Sequence, residues 1–234
     1  MRKLIVYFIL SIVLLNTACS KDDNENSVVE VGELLLATPL NNATCEGKSI
    51  SNTKCEVVLE WQPISDAGSY TLTVTNLETN KVFLIQNDIL KTNYKLTLNK
   101  NVPFSWKVTS TDSISRAMNN SSAVWKFYAS AAESVANYAP FPADLIAPIQ
   151  DKMVTAVDGK ITLKWAGSDT DSSSLKYTIY LDKIDGKQTP VAELTNLSES
   201  QTTVAVEAGV YYWMVKTSDG TSSSFSQIVR FKVN

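Results

Sequence analysis

The sequence predicts an all-β protein, two β-sandwiches in tandem behind an N-terminal export segment and tether. Three observations predict it. One series of strand-like blocks occurs twice, at offsets of 104 to 107 residues. Each block alternates apolar and polar residues with period two, as a half-buried antiparallel strand does. Turn-forming residues interrupt the chain at a spacing of roughly 8–12 residues, the punctuation of a sandwich.

The export segment comes first in the chain. Met1-Arg2-Lys3 is a positive start, and Leu4 to Leu15 is an apolar stretch broken only by Ser11. As a helix that stretch would rise ~18 Å against a hydrocarbon core of ~30 Å, so it reads as a signal-peptide core and not as a membrane span. Thr17 and Ala18 precede Cys19, and the run Leu14-Leu-Asn-Thr-Ala-Cys19 resembles a bacterial lipobox, with Asn16 where an aliphatic residue is usual. The resemblance implies cleavage before Cys19 and a lipid on its sulfur. Residues 1–18 are then a lipoprotein signal peptide, and acyl chains on Cys19 hold the protein on a membrane. An ordinary secretory signal with a chance cysteine is the alternative.

Residues 19–35 read as a tether. Ser20-Lys21-Asp22-Asp23 resembles the export signal of Bacteroidota surface lipoproteins, so Lys21, Asp22 and Asp23 imply an outer-membrane protein facing the cell exterior. A solvated charged tether, with the protein facing the periplasm, is the alternative.

Charge and composition limit the partners. The chain carries 21 basic and 24 acidic residues, and losing Arg2 and Lys3 with the signal leaves 19 against 24, a net charge of −5. That balance argues against nucleic acid as a partner. Strand-forming Val, Ile, Tyr and Trp dominate the apolar residues.

The repeat fixes the two sandwiches. Trp106-Lys-Val-Thr-Ser-Thr-Asp112 matches Trp213-Met-Val-Lys-Thr-Ser-Asp219, and Val57-Val-Leu-Glu-Trp61 matches Ile161-Thr-Leu-Lys-Trp165. Tyr70-Thr-Leu-Thr-Val74 matches Tyr177-Thr-Ile-Tyr-Leu181. Alternation points Val57, Leu59, Trp61, Phe104, Trp106 and Val108 inward in the first copy. In the second it points Ile161, Leu163, Trp165, Tyr211, Trp213 and Val215 inward. Aromatics at such positions are expected to be core.

The second copy resembles a bacterial fibronectin type III domain. The likeness runs from Ala147-Pro148 through Leu163-Lys-Trp165, Ser168-Asp-Thr-Asp171 and Ala208-Gly-Val-Tyr-Tyr-Trp213 to Phe231-Lys-Val233. It implies two fibronectin type III-like (Ig-like) sandwiches, a divergent one at 36–128 and another at 143–234, joined by a linker at 129–142. It also implies a corner hydrogen bond from Tyr211 to backbone, which Phe104 cannot make in the first copy. Ala, Ser and two prolines make the linker a semi-stiff spacer with room for a helical turn at Ala129 to Val135, and the sandwiches are expected end to end.

Offsets locate two insertions. Pro39 and Pro148 are 109 apart while the following tryptophans are 104 apart, so the first copy has five extra residues where Cys45 and Cys55 lie. In an oxidising compartment these two are expected to form a disulfide, with two free thiols as the alternative. The second copy is three residues longer in the stretch Gly167 to Ser174.

Chemistry-bearing residues are few. The chain contains no His, which excludes a Ser/His/Asp relay, a Cys/His pair and an HExxH zinc site. No cofactor is expected. Asp169 and Asp171 are the one acidic pair on a loop; calcium is one reading and a hydrogen-bonded turn the favoured one. The loop Asp112 to Ser122, with Ile114, Arg116 and Met118, is a candidate partner surface.

These readings make the chain a non-catalytic cell-surface lipoprotein, an adhesin-like binding or spacer module meeting an extracellular protein or glycan. The alternative is an accessory glycan-binding lipoprotein of an outer-membrane polysaccharide uptake system, which calls for a platform of exposed aromatics.

Overall fold

The computed structural model of the chain describes residues 33–115, 118–130 and 137–234. The signal segment, Cys19, the Lys21-Asp22-Asp23 run and Arg116 lie outside the described residues, as does the side chain of Met118.

The alternating blocks form strands throughout. The first half contains β1 (Leu36–Thr38), β2 (Ala43–Glu46), β3 (Lys48–Ser49), β4 (Lys54–Trp61), β5 (Ala67–Asn76) and β6 (Lys81–Ile89). It continues with β7 (Asn93–Asn99), β8 (Val102–Asp112), β9 (Met118–Ser121) and β10 (Trp125–Ser130). One sheet has β4 paired with β7 along most of its length and with β1 and β3 at its two ends. The other runs β2-β10-β8-β5-β6, with β9 on β8.

The second half repeats this plan with β11 (Phe141–Ala147), β12 (Met153–Val154), β13 (Lys160–Ser168), β14 (Lys176–Asp182) and β15 (Gln201–Ala205), followed by β16 (Gly209–Ser218), β17 (Ser223–Phe225) and β18 (Val229–Val233). Its sheets are β11-β13-β15 and β12-β18-β16-β14, with β17 on β16. In each half only one pair of strands is parallel, β2 with β10 and β12 with β18. Both arise because the first strand of the half crosses from one sheet to the other, just past Pro39 and just past Pro148. The chain is therefore two tandem β-sandwiches with fibronectin type III-like strand order.

Every residue placed inward by the alternation is buried, from Val57, Leu59 and Trp61 to Tyr211, Trp213 and Val215. The copies share detail beyond the pattern. Trp61 meets Tyr70 edge-on at 5.5 Å and 68°, and Trp165 meets Tyr177 at 5.5 Å and 67°. Buried Ser122 accepts from Val108 N–H at 3.0 Å and donates to Ala123 O at 2.7 Å, and Ser226 does the same with Val215 and Gln227 at 2.9 and 2.8 Å. These serines replace ladder bonds where the outer strand breaks between β9 and β10 and between β17 and β18. Glu207 N–H donates to Tyr211 Oη at 3.1 Å, the corner bond implied by the resemblance.

Turn chemistry is consistent with this plan. The non-glycine residues with positive φ, among them Asn42, Asp66, Asn101 and Asp151, are all Asn or Asp, which tolerate the left-handed region best. Asn42 and Asp151 hold the same place in the two crossovers, and their N–H groups donate to Lys126 O and Arg230 O at 2.7 Å each. The five-residue insertion of the first copy becomes β3, which returns the chain to β4. Gly47 makes the turn, because a Cβ there would stand 2.4 Å from Glu56 O.

The connection between the sandwiches is packed. β10 continues through Ala129 and Ser130, so these residues are strand and not part of a helical turn. Beyond it Tyr138 and Phe141 bury against Tyr128 and Leu77, with ring centroids 4.7 Å (Tyr128–Tyr138) and 5.0 Å (Tyr128–Phe141) apart. Lys126, 6% exposed, reaches across to Asp144 at 2.7 Å and to Pro142 O at 3.0 Å. Further bonds link the halves directly, Ser168 Oγ to Asn42 Oδ1 at 2.8 Å and Gln227 Nε2 to Asn80 Oδ1 at 2.6 Å. The described part of the expected spacer, Ala129–Ser130 and residues 137–142, thus contributes to a joint with its own small core.

Candidate functional site

The acidic pair belongs to this joint. Asp169 and Asp171 lie on the β13–β14 loop, the stretch lengthened by three residues in the second copy. Asp171 Oδ2 accepts from Tyr138 N–H at 2.9 Å, and Asp171 N–H donates to Asp169 Oδ1 at 3.3 Å. Beside them Asp219 accepts from Asn137 Nδ2 at 2.9 Å and from the Thr221 and Ser222 amides. Burial works against the Asp219 carboxylate, but these donors outweigh it and hold its pKa below the usual range. Asp169 goes the other way, pushed up to about 6 by burial first and by Asp171 beside it. Its Oδ2 and the Thr170 hydroxyl are buried without a partner. Among the described residues no three Cys, Asp or Glu side chains gather as a metal site would need. Through Asp171 the longer loop is bonded to Tyr138 at the start of the second sandwich.

The two cysteines face one core from different sheets, Cys45 on β2 and Cys55 on β4, and both are free thiols. The expected disulfide is not formed in this structure. Cys55 is fully buried and its pKa is raised by burial, with Lys100 pulling it down. Burial, then Cys55 and Glu46, push Cys45 up to about 11.

The loop after Asp112 is a tight hairpin tip between β8 and β9. Asp112 Oδ1 accepts from Ile114 N–H, Ser115 N–H and Ser115 Oγ at 3.0, 2.6 and 2.9 Å, which holds the carboxyl below its usual range. Ile114 is left 91% exposed at the tip.

A concave apolar surface lies at the far end of the second sandwich. β11 starts in the joint at Phe141 and runs away from it to Ala147, so the segment 148–160 sits at the opposite end. There Ala147, Pro148, Val154, Val157, Lys160 and Thr162 line a groove of about 460 Å³. Ile149 and Met153, 54% and 56% exposed, lie on the same crossover, and Val157 is 72% exposed. β11 is an edge strand with one unpaired side. Alternation could not reveal this site, because the crossover is too short to show a period; the available signal was Ile149, Met153 and Val157 recurring in a stretch with no strand long enough to bury them.

Most aromatics are core, as expected. Among the described residues Phe83 and Phe225 are 46% and 47% exposed, and Tyr180 and Tyr212 are half-buried outside the cores. Phe225 lies 6.0 Å from Tyr180, with Lys216 Nζ 5.9 Å from its ring.

No protein-family model matches the chain, and no curated protein matches it. Among solved structures, it is similar to the crystal structure of chicken CNTN1 FN1–FN3 domains at 13% identity, covering 83% of this chain and 68% of that one, with a TM-score of 0.28. The sandwich assignment rests on the strand order described above. No helix among the described residues is long and apolar enough to cross a membrane.

Proposed function

We propose that the chain is a non-catalytic surface lipoprotein, anchored by lipid on Cys19 and directed outward by Lys21, Asp22 and Asp23, that binds a protein partner with its second sandwich. The observation that carries the reading is the groove between the crossover and the start of β13, where Pro148, Val154, Val157 and Ile161 lie beside Asp158 and Lys160, at the end of the body farthest from Glu33. An extended segment of a partner can lie in this groove, its apolar side chains against Pro148, Val154 and Val157. The joint serves this role by holding the two sandwiches as one body, which fixes where the groove points.

Capture of a partner by residues 31–234, lost in Val157→Asp or Met153→Asp, tests the reading. A glycan-binding role has one observation in its favour, the exposed Phe225 beside Tyr180. Saturable sugar binding that disappears in Phe225→Ala and survives Val157→Asp would replace the protein-partner reading. For the anchor, Cys19→Ser should release the protein from membranes or block its processing. Protease accessibility on intact cells tests the facing.

A further inference from the structure

At the end of the first sandwich opposite the joint, three loops each carry an exposed aliphatic side chain. Ile114 tops the β8–β9 tip at 91% exposure, and Leu90 stands on the β6–β7 turn at 80%, next to exposed Lys91. Leu35, 49% exposed, lies where the chain comes into β1. Backbone bonds fasten these loops to one another. Ser113 N–H donates to Asp66 O at 3.0 Å, Gln62 N–H to Leu35 O at 2.8 Å, and Trp61 N–H to Thr92 O at 3.0 Å.

Resting on the proposed anchor at Cys19, we infer that this end is a membrane-contact surface, with Ile114 and Leu90 entering the interfacial layer of the bilayer that holds the lipid. Thirteen residues lie between Cys19 and Glu33, fourteen chain steps in all. Even fully extended they span at most about 50 Å. This end of the protein is therefore confined near the bilayer at high effective concentration, and a weak insertion suffices to dock it. The shape of the surface also fits lipid. Its aliphatics stand on separate, nearly uncovered tips, which suit a fluid apolar phase, whereas the aliphatics of the far groove line a concavity that suits a peptide. Asp66 and Asp112 lie beside Ile114, and Lys91 beside Leu90, so both signs of charge border the aliphatics among the described residues. The contact is apolar and should withstand raised salt.

The test uses the full lipidated chain in phosphatidylethanolamine/phosphatidylcholine vesicles carrying nitroxide lipids. Trp61, Trp106, Trp165 and Trp213 are buried and Trp125 is half-buried, so wild type sets the background against which the added tryptophans are read. Ile114→Trp and Leu90→Trp should be quenched about twofold more than wild type, and more by a nitroxide near the top of the acyl chain than by one near its end. Ile184→Trp, at an exposed site on the second sandwich, should match wild type, and thermal unfolding should show all three variants folded. Flotation with the vesicles but unquenched tips would overturn the proposal alone. Failure of the lipidated protein to float would overturn the anchor and the proposal with it. Unquenched tips that instead cross-link through position 114 to one outer-membrane protein in cells would assign the surface to a protein and overturn the lipid reading.

Discussion

Phe141→Ala should uncouple the two sandwiches while leaving each folded. Phe141 is fully buried, and its neighbours Tyr128 and Tyr138 form a cluster separate from both main cores. Removing a buried Phe side chain costs about 3–5 kcal/mol when the site cannot collapse. A three-ring cluster at a joint relaxes more readily than a core, so the lower figure applies, about 3 kcal/mol or a factor of about 150 in an equilibrium constant. Because the lost contacts lie between the halves, this loss falls on their coupling. Hydrogen exchange in increasing urea reads it directly. In wild type, β4 and β8 of the first sandwich and β13 and β16 of the second should lose protection together; in Phe141→Ala they should separate. Phe127→Ala, which hollows only the first core, should weaken the first sandwich more than the joint. Coincident loss of protection in Phe141→Ala, with stability lowered by less than about 1 kcal/mol, would refute the joint as a coupler.

Asp169 gives a pH signature. Its folded pKa of about 6 lies above the unfolded value, so its contribution to stability is present below about pH 4 and lost as pH rises through 6. Asp169→Asn should remove that decline and stabilise the protein by about 1 kcal/mol at pH 7, after allowance for solvent screening; urea titrations at pH 4 and 7 measure both. Asp182 has the opposite sign. Burial disfavours its charge, but the amides of Ile184, Asp185, Gly186 and Gln188 outweigh this and lower its pKa, so its stabilisation is present above about pH 4 and lost as pH falls further. Asp182→Ala should cost about 1 kcal/mol at neutral pH, seen as a lower thermal midpoint of the second sandwich. Ser122→Ala and Ser226→Ala should each cost about 1–3 kcal/mol by leaving the Val108 or Val215 N–H unpaired, with the loss confined to one sandwich in each case. The unreduced, denatured protein should titrate two free thiols per chain, and the native protein should react slowly at pH 8; absence of thiols after denaturation would show that Cys45 and Cys55 are oxidised.

The cores were legible because period-two alternation states which side of a strand is inside, and the repeated Trp and Tyr positions say it twice. Tyr211 was legible for another reason: the resemblance carried the corner bond with it. Contacts distant in sequence were not legible. Asp171 meets Tyr138, and Asn42 meets Ser168, across separations that no local pattern encodes. Asp169-Thr-Asp171 by itself favours a turn and leaves cation ligands as the other reading, and only the position of Tyr138 shows that one carboxylate is already engaged. Whether Cys45 and Cys55 are bonded is likewise not encoded locally: compartment and spacing favour a bond, while the structure carries both as thiols. The free serine clamps were invisible because the chain is rich in serine and only two strand interruptions use it in this way.

The differences between the copies follow from their places in the chain. The first copy carries β3 and the extra strand β6, while the second spends its added residues on the loop that grips the joint and leaves β14 at the sheet edge, met there by Leu197 through a bridge to Tyr177. Trp213 donates its ring N–H to Pro148 O at 3.1 Å, but the matching Trp106 nitrogen is buried without a partner. An unpaired buried donor costs on the order of 1–3 kcal/mol, and the first copy also lacks the corner hydroxyl. That copy is nevertheless the one flanked by the joint on one side and, on the reading proposed above, by the membrane on the other. Contacts at both ends offset what its interior lacks. The second copy also leaves buried groups unpaired, Trp165 Nε1, Asp169 Oδ2 and the Thr170, Thr217 and Ser224 hydroxyls, and the joint is the one packed contact it has to set against them.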